Sequence, residues 1–235
     1  MKPYVICHMI SSVDGSVAVG HWTEGPGNSK TERSAAYAKV HAALCGDAWL
    51  VSRVTMAEMT RAAPHPSSDG DRAERPYRFA NRNSKAYAIA LDSSGRPHFE
   101  KPEVDGDHVV VLLGGDVTDS HLREMAADGV SYIVADGAEI DLLATLEVLG
   151  RELGIQRLLL EGGGGINGSL LAAGLVDEIS LIMAPAVDGR TASRSIFEAG
   201  EHGLAGRVEL DLTACERLDS GMIHLRYRVR ALRGG

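Results

Sequence analysis

Three observations predict an α/β fold: a mixed, mostly parallel sheet flanked by helices and finished by an antiparallel hairpin. Short apolar strands alternate with helical segments through the middle of the chain, which calls for right-handed crossovers and a mainly parallel sheet. The apolar run Leu158, Leu159, Leu160 enters the glycines Gly162, Gly163, Gly164 and Gly165, and Ile166, Leu170, Leu171 and Leu175 then recur at helical spacing. After Gly174 the pattern changes, and residues 208–217 and 223–229 read as a hairpin closed near Asp219-Ser220-Gly221.

Length and composition fit this class. With 235 residues, 44% hydrophobic and 24% charged, the chain reads as a single soluble domain over residues 1–235. Its formal charge of −8, with no basic run, argues against a nucleic-acid partner. Cys7, Cys45 and Cys215 lie far apart and the nine histidines lack ligand spacing, so no metal site is expected. Neither a signal-like segment nor an apolar stretch of about 20 residues is present. The expectation is a cytoplasmic protein with no membrane partner.

In chain order, residues 4–10 have the β-branched content of a strand, and Asp14-Gly15 is a turn signal. Residues 20–27 form a loop. Ser29-Lys30-Thr31-Glu32 has capping-box spacing and opens an alanine-rich helix that runs to Gly46. Residues 47–52 are the second strand and 53–59 a helix, with Thr55 as its N-cap and Arg53 as an anion partner beside it. Residues 61–83 carry turn residues without an apolar period and read as an irregular excursion. Strands follow at 85–91, 109–113 and 130–135. Thr118 or Asp119 caps one intervening helix, and Asp141 opens another with Leu142, Leu143, Leu146 and Leu149 on one face. Residues 178–184 are a strand and 185–206 a long loop. In the last strand Ile223, Leu225, Tyr227 and Val229 alternate with His224, Arg226, Arg228 and Arg230, which places the first set inward.

The glycine run has two readings. Glycine permits positive φ and puts no side chain between the main chain and a ligand, so a helix starting there can aim its N–H groups at a pyrophosphate. A tight strand-to-helix turn needs the same residues, and the spacing is not the dinucleotide fingerprint.

Taken together, Ser12-Val13-Asp14-Gly15 with Val17-Ala18, Asp47-Ala48-Trp49-Leu50-Val51 with Ser52-Arg53-Val54-Thr55, Leu160-Glu161-Gly162-Gly163-Gly164 with Asn167, Gly174-Leu175-Val176-Asp177-Glu178, Pro185 and Leu225-Arg226-Tyr227 resemble the RibD C-terminal family. These are riboflavin-biosynthesis reductase domains with the dihydrofolate reductase-like fold. The resemblance implies an NADPH-dependent reductase acting on a small heterocycle, as a homodimer. It puts the nicotinamide near Asp14 to Ala18, the pyrophosphate at Gly162, Gly163, Gly164, Gly165 and Ile166, and the 2′-phosphate at Arg53 and Thr55 beside Ser52. Gly114 and Val134 complete the cofactor set. His8, Ser12 and Glu161 are the substrate candidates, and Asp14 is the catalytic candidate, for substrate or proton contact or for a structural turn.

Departures narrow the substrate. His8 stands where riboflavin-pathway members carry a Lys, and Ala42, Ala43 and Leu44 stand where many carry an Arg late in the first helix. Ser52 replaces a Gly, and no zinc deaminase motif accompanies the domain. A reductase for 5-amino-6-(5-phosphoribosylamino)uracil, or for a related conjugated or imine compound, is the first reading. The alternatives are an S-adenosylmethionine-binding transferase and a non-catalytic nucleotide-binding module.

Overall fold

A computed structural model describes residues 1–26, 28–65, 73–191, 193–201 and 203–232. Parts of three expected irregular segments, at residue 27, residues 66–72 and residues 192 and 202, lie outside the described residues.

β1 (Tyr4–Ser11) is buried from Val5 to Met9. α1 (Lys30–Leu44) carries the expected capping box, in which Ser29 Oγ accepts from the Glu32 N–H and the Glu32 carboxylate accepts from the Ser29 N–H. β2 (Ala48–Ser52) leads into α2 (Arg53–Thr60), whose N-cap is Ser52. Thr55 is therefore not the cap. Ser52 Oγ accepts from the Thr55 N–H at 3.3 Å, because only the residue before the first helical turn can keep extended backbone while reaching back to that donor.

β3 (Tyr77–Arg78), β4 (Tyr87–Asp92), β5 (Glu103–Val104) and β6 (Asp107–Leu113) follow. β3 falls inside the expected irregular excursion and β5 was not expected; two-residue strands are too short to show a period. α3 (Asp119–Ala127) is capped by Thr118, and β7 (Ser131–Val134) follows. α4 (Leu142–Glu152) is capped by Asp141 and buries Thr145, Leu146 and Leu149. Leu143 is 48% exposed, against expectation, because the inward stripe of the helix passes through Thr145 instead. Then come β8 (Arg157–Leu160), α5 (Gly164–Ala172), β9 (Glu178–Met183), β10 (Val208–Arg217) and β11 (Ile223–Ala231).

The chain forms two compact units, and the division falls within β8. The first comprises residues 1–3 and 47–158. In it β2, β4, β6 and β7 pair in parallel, with β5 antiparallel to β6 and β3 antiparallel to β7. Ala88, Ile89, Ala90, Val109, Val110 and Val111 are completely buried, as parallel strands covered on both faces require.

The second unit comprises residues 4–46 and 159–235. Here β9 pairs in parallel with β1, β11 antiparallel with β9, and β10 antiparallel with β11. Both units thus hold mixed sheet, and the α/β class with its C-terminal hairpin is as expected. One facing differs. His224, assigned to the outer set, is 7% exposed because its Nε2 bonds Ser180 Oγ at 2.8 Å, while Ile223, Leu225 and Tyr227 are only half-buried.

Candidate active site

In the second unit, the turn after β1 is closed by Asp14. Its carboxylate accepts from Ser12 Oγ and from the backbone N–H groups of Asp188 and Gly189, the last at 2.8 Å. Those donors, Ser12 foremost, hold the Asp14 carboxyl below the usual range. Asp14 is thus ionised at neutral pH and acts as an acceptor, which suits a loop clasp and removes it as a resting proton donor. Asp188 completes the clasp. It is paired with Arg190 at 2.6 Å and accepts from Ser16 and Ser193, and its carboxyl is held low chiefly by that arginine. Ala18 follows directly, with its N–H on Ser16 Oγ at 3.1 Å.

Glu161 leaves the C-terminal end of β8, where ligands of α/β sheets commonly bind. His41 Nδ1 lies 2.8 Å from its Oε1, and the Glu161 side chain is 10% exposed. Tyr37, one turn before His41 on α1, has its hydroxyl pushed well up by burial and by the adjacent Glu161 charge. Tyr37 and His41 were not singled out in the sequence. Their i, i+4 spacing on α1 is the signal that places both beside one carboxylate. His41 also supplies a basic side chain late in α1, one residue before the alanines where none was expected.

His8 takes a different part from the one expected of a basic residue. It is fully buried, stacked on Tyr37 at 4.3 Å, and its Nδ1 bonds Ser180 Oγ at 3.1 Å. Burial lowers its pKa, so the ring is neutral and offers no charge to a phosphate. Its Nε2 is buried without a partner among the described residues. Ser12, the other substrate candidate, is 1% exposed and is engaged by Asp14.

The glycine turn opens α5. Gly163 is the N-cap, with φ −54° and ψ 169° and no side-chain cap, so the first N–H groups of the helix are left for an external acceptor. None of Gly162, Gly163, Gly164 and Gly165 has positive φ, so backbone freedom is not why they are glycine. Crowding explains one of them. A Cβ on Gly164 would lie 2.5 Å from Ser195 O, whereas Gly163 and Gly165 face open space. The Gly163 and Gly165 positions leave the helix start bare, as close approach by a ligand requires. Ile166 is half-buried one residue on.

In the first unit, Ser52 and Thr55 start α2, and their hydroxyls lie 3.1 Å apart. Arg53 has 38% of its side chain exposed and stands 3.8 Å from the buried Asp92 carboxylate. Gly114 is held by packing: a Cβ there would meet Ser93 O at 2.5 Å. Val134 lines a small cleft with Arg75, Pro76, Gly115, Ala135 and Asp136.

The decisive comparison is of sequence. Residues 3–224 match the RibD C-terminal domain. The chain belongs to that family. As a member it is an oxidoreductase, and its fold is the α/β class expected, with mixed sheet flanked by helices and antiparallel C-terminal strands. Among its relatives is the 2,5-diamino-6-ribosylamino-4(3H)-pyrimidinone 5′-phosphate reductase of Methanothermobacter thermautotrophicus, 28% identical over 238 residues and covering 98% of this chain and 100% of the relative. A pyrimidine reductase-like protein from Corynebacterium diphtheriae shares the fold with a TM-score of 0.68, at 20% identity over 97% of this chain and 92% of its own. The riboflavin biosynthesis reductase of Saccharomyces cerevisiae does so with a TM-score of 0.58, at 16% identity over 97% and 90%.

Proposed function

We propose that the chain transfers a hydride from NADPH to a pyrimidine carrying a ribosylamino 5′-phosphate group, the kind of substrate its archaeal relative is named for. The observation that carries the reading is the uncapped, side-chain-free start of α5, where bare N–H groups and the helix dipole suit a pyrophosphate. The exposed part of Arg53, with the start of α2, suits the 2′-phosphate that separates NADPH from NADH. Bound NADPH would supply the hydride from C4 of its nicotinamide.

The residues of the chain then bind and orient. Glu161, steadied by His41 and lying beside Tyr37, accepts N–H bonds from the heterocycle. The Asp14–Asp188 clasp fixes the loop from Ser12 to Ala18. In an assay following NADPH oxidation with the ribosylaminopyrimidinone phosphate, we expect turnover in the wild type and a loss of kcat/KM of roughly 100-fold in Glu161→Gln, the scale of one lost charge-assisted bond. Turnover unchanged in that variant would remove Glu161 from the site.

We also propose a homodimer formed through the second unit. β10 is an edge strand that leaves Leu210 49% and Leu212 57% exposed. A groove of about 500 Å³ between α1 and the hairpin is lined by Ala36, Val40, Ala43, Leu44 and Met222. An open strand edge next to an apolar groove is a surface that a second copy would cover.

A further inference from the structure

In the first unit, three histidines that take no part in the site described above converge on one carboxylate. His121 and Glu124 lie three residues apart on α3, which puts both on one face of the helix. His98 comes from the segment between β4 and β5, and His65 from the segment after α2. His98 Nδ1 is 2.7 Å from Glu124 Oε1, His65 Nδ1 is 3.2 Å from the same oxygen, and His121 Nδ1 is 3.8 Å from Oε2. Glu124 is 4% and His121 7% exposed. Among the described residues, every ion pair of Glu124 is to a histidine. A carboxylate so deeply buried would ordinarily be neutralised by arginine or lysine, or would hold a metal.

We propose that His98, His121 and Glu124, whose ligand atoms lie within 4.8 Å of one another, bind a divalent transition-metal cation, zinc being the best fit. Ligand atoms on a tetrahedral zinc with bonds of about 2.0–2.1 Å stand roughly 3.3–3.4 Å apart. The ligand atoms of His98, His121 and Glu124 are close enough for side-chain adjustment to bring them to that spacing. Two imidazoles and one carboxylate form a known type of zinc donor set, and neutral imidazole is the ligating form. His121 Nε2 is buried without a partner among the described residues.

His65 stands behind the donor set rather than in it. Its Nδ1 donates to Ala63 O at 2.8 Å, its Nε2 lies 2.9 Å from Asp128 Oδ2, and its backbone N–H donates to Glu124 Oε1 at 3.2 Å, so it fixes the ligating carboxylate. With metal bound, the segment around His98 would be pinned to α3.

The test uses tag-free full-length protein stripped with EDTA. It is titrated with Zn²⁺ against a chromophoric chelator and with Co²⁺ followed by visible absorption, for wild type, His98→Ala and Glu124→Gln. We expect one equivalent of Zn²⁺ in the wild type, four-coordinate Co²⁺ bands, and a thermal midpoint raised by Zn²⁺. His98→Ala, on a segment outside the helix, is expected to stay folded by circular dichroism and to bind Zn²⁺ at least roughly 10-fold more weakly, with the Co²⁺ bands lost. Absence of stoichiometric uptake by the wild type overturns the proposal. So does uptake with a Co²⁺ spectrum that is the same in the wild type and His98→Ala.

Discussion

Asp14 and Asp188 show how two carboxylates far apart in the chain serve one loop clasp. Both carboxyls are held below the usual range by hydrogen bonds to the ionised form, Asp14 chiefly by Ser12 and Asp188 chiefly by Arg190. A folded-state pKa below the unfolded one means that the contribution to stability is complete above the ordinary aspartate pKa of about 3.9 and is lost as pH falls through the folded value. Asp188→Asn should therefore melt below wild type at pH 7, and the gap between the two should narrow progressively as the pH is lowered below about 3.9. A gap that stays constant as the pH falls would mean that packing, not charge, holds the loop.

The two kinds of glycine in and after the α5 turn can be separated as sharply. A Cβ on Gly168 would run into Glu198 O, so Gly168→Ala should destabilise by roughly 2–4 kcal/mol through a backbone clash. Gly163→Ala, facing open space at an ordinary φ, should leave the melting temperature unchanged. Urea denaturation of the two variants checks both outcomes. The glycine run was legible in the sequence as a turn, but the division of labour within it was not. Which glycine meets a carbonyl depends on the return of the 195–198 segment, some thirty residues downstream.

At the scale of elements, the caps were largely legible because capping chemistry is local. Ser29 and Asp141 cap the helices expected of them, Thr118 rather than Asp119 caps α3, and at α2 the cap shifts from Thr55 to Ser52. Ser52→Ala should cost about 1 kcal/mol, the usual worth of such a cap, while Thr55→Ala should cost less. Equal losses in chemical denaturation would contradict the assignment. Facing was read less well. His224 turns inward because Ser180, on a strand more than forty residues earlier, offers it a partner. The Glu161 group was half legible: the carboxylate at the end of β8 could be picked out, but Tyr37 and His41 come from α1, more than a hundred residues away. The histidines around Glu124 were missed for the same reason, since three separate segments bring them together.

For the whole molecule, the exposed edge of β10 and the apolar groove beside α1 predict a dimer. Sedimentation at micromolar concentration should give twice the monomer mass, and charge placed on the edge by Leu212→Glu should shift the equilibrium toward monomer. A monomer in the wild type would remove the second copy from the account. The rest depends on NADPH as the cofactor, which equilibrium binding of NADPH and NADH to the wild type, Gly163→Val and Arg53→Ala tests. We expect the wild type to prefer NADPH, Gly163→Val to stay folded but lose both nucleotides, and Arg53→Ala to bind the two alike. Failure of the folded wild type to bind either nucleotide would contradict it.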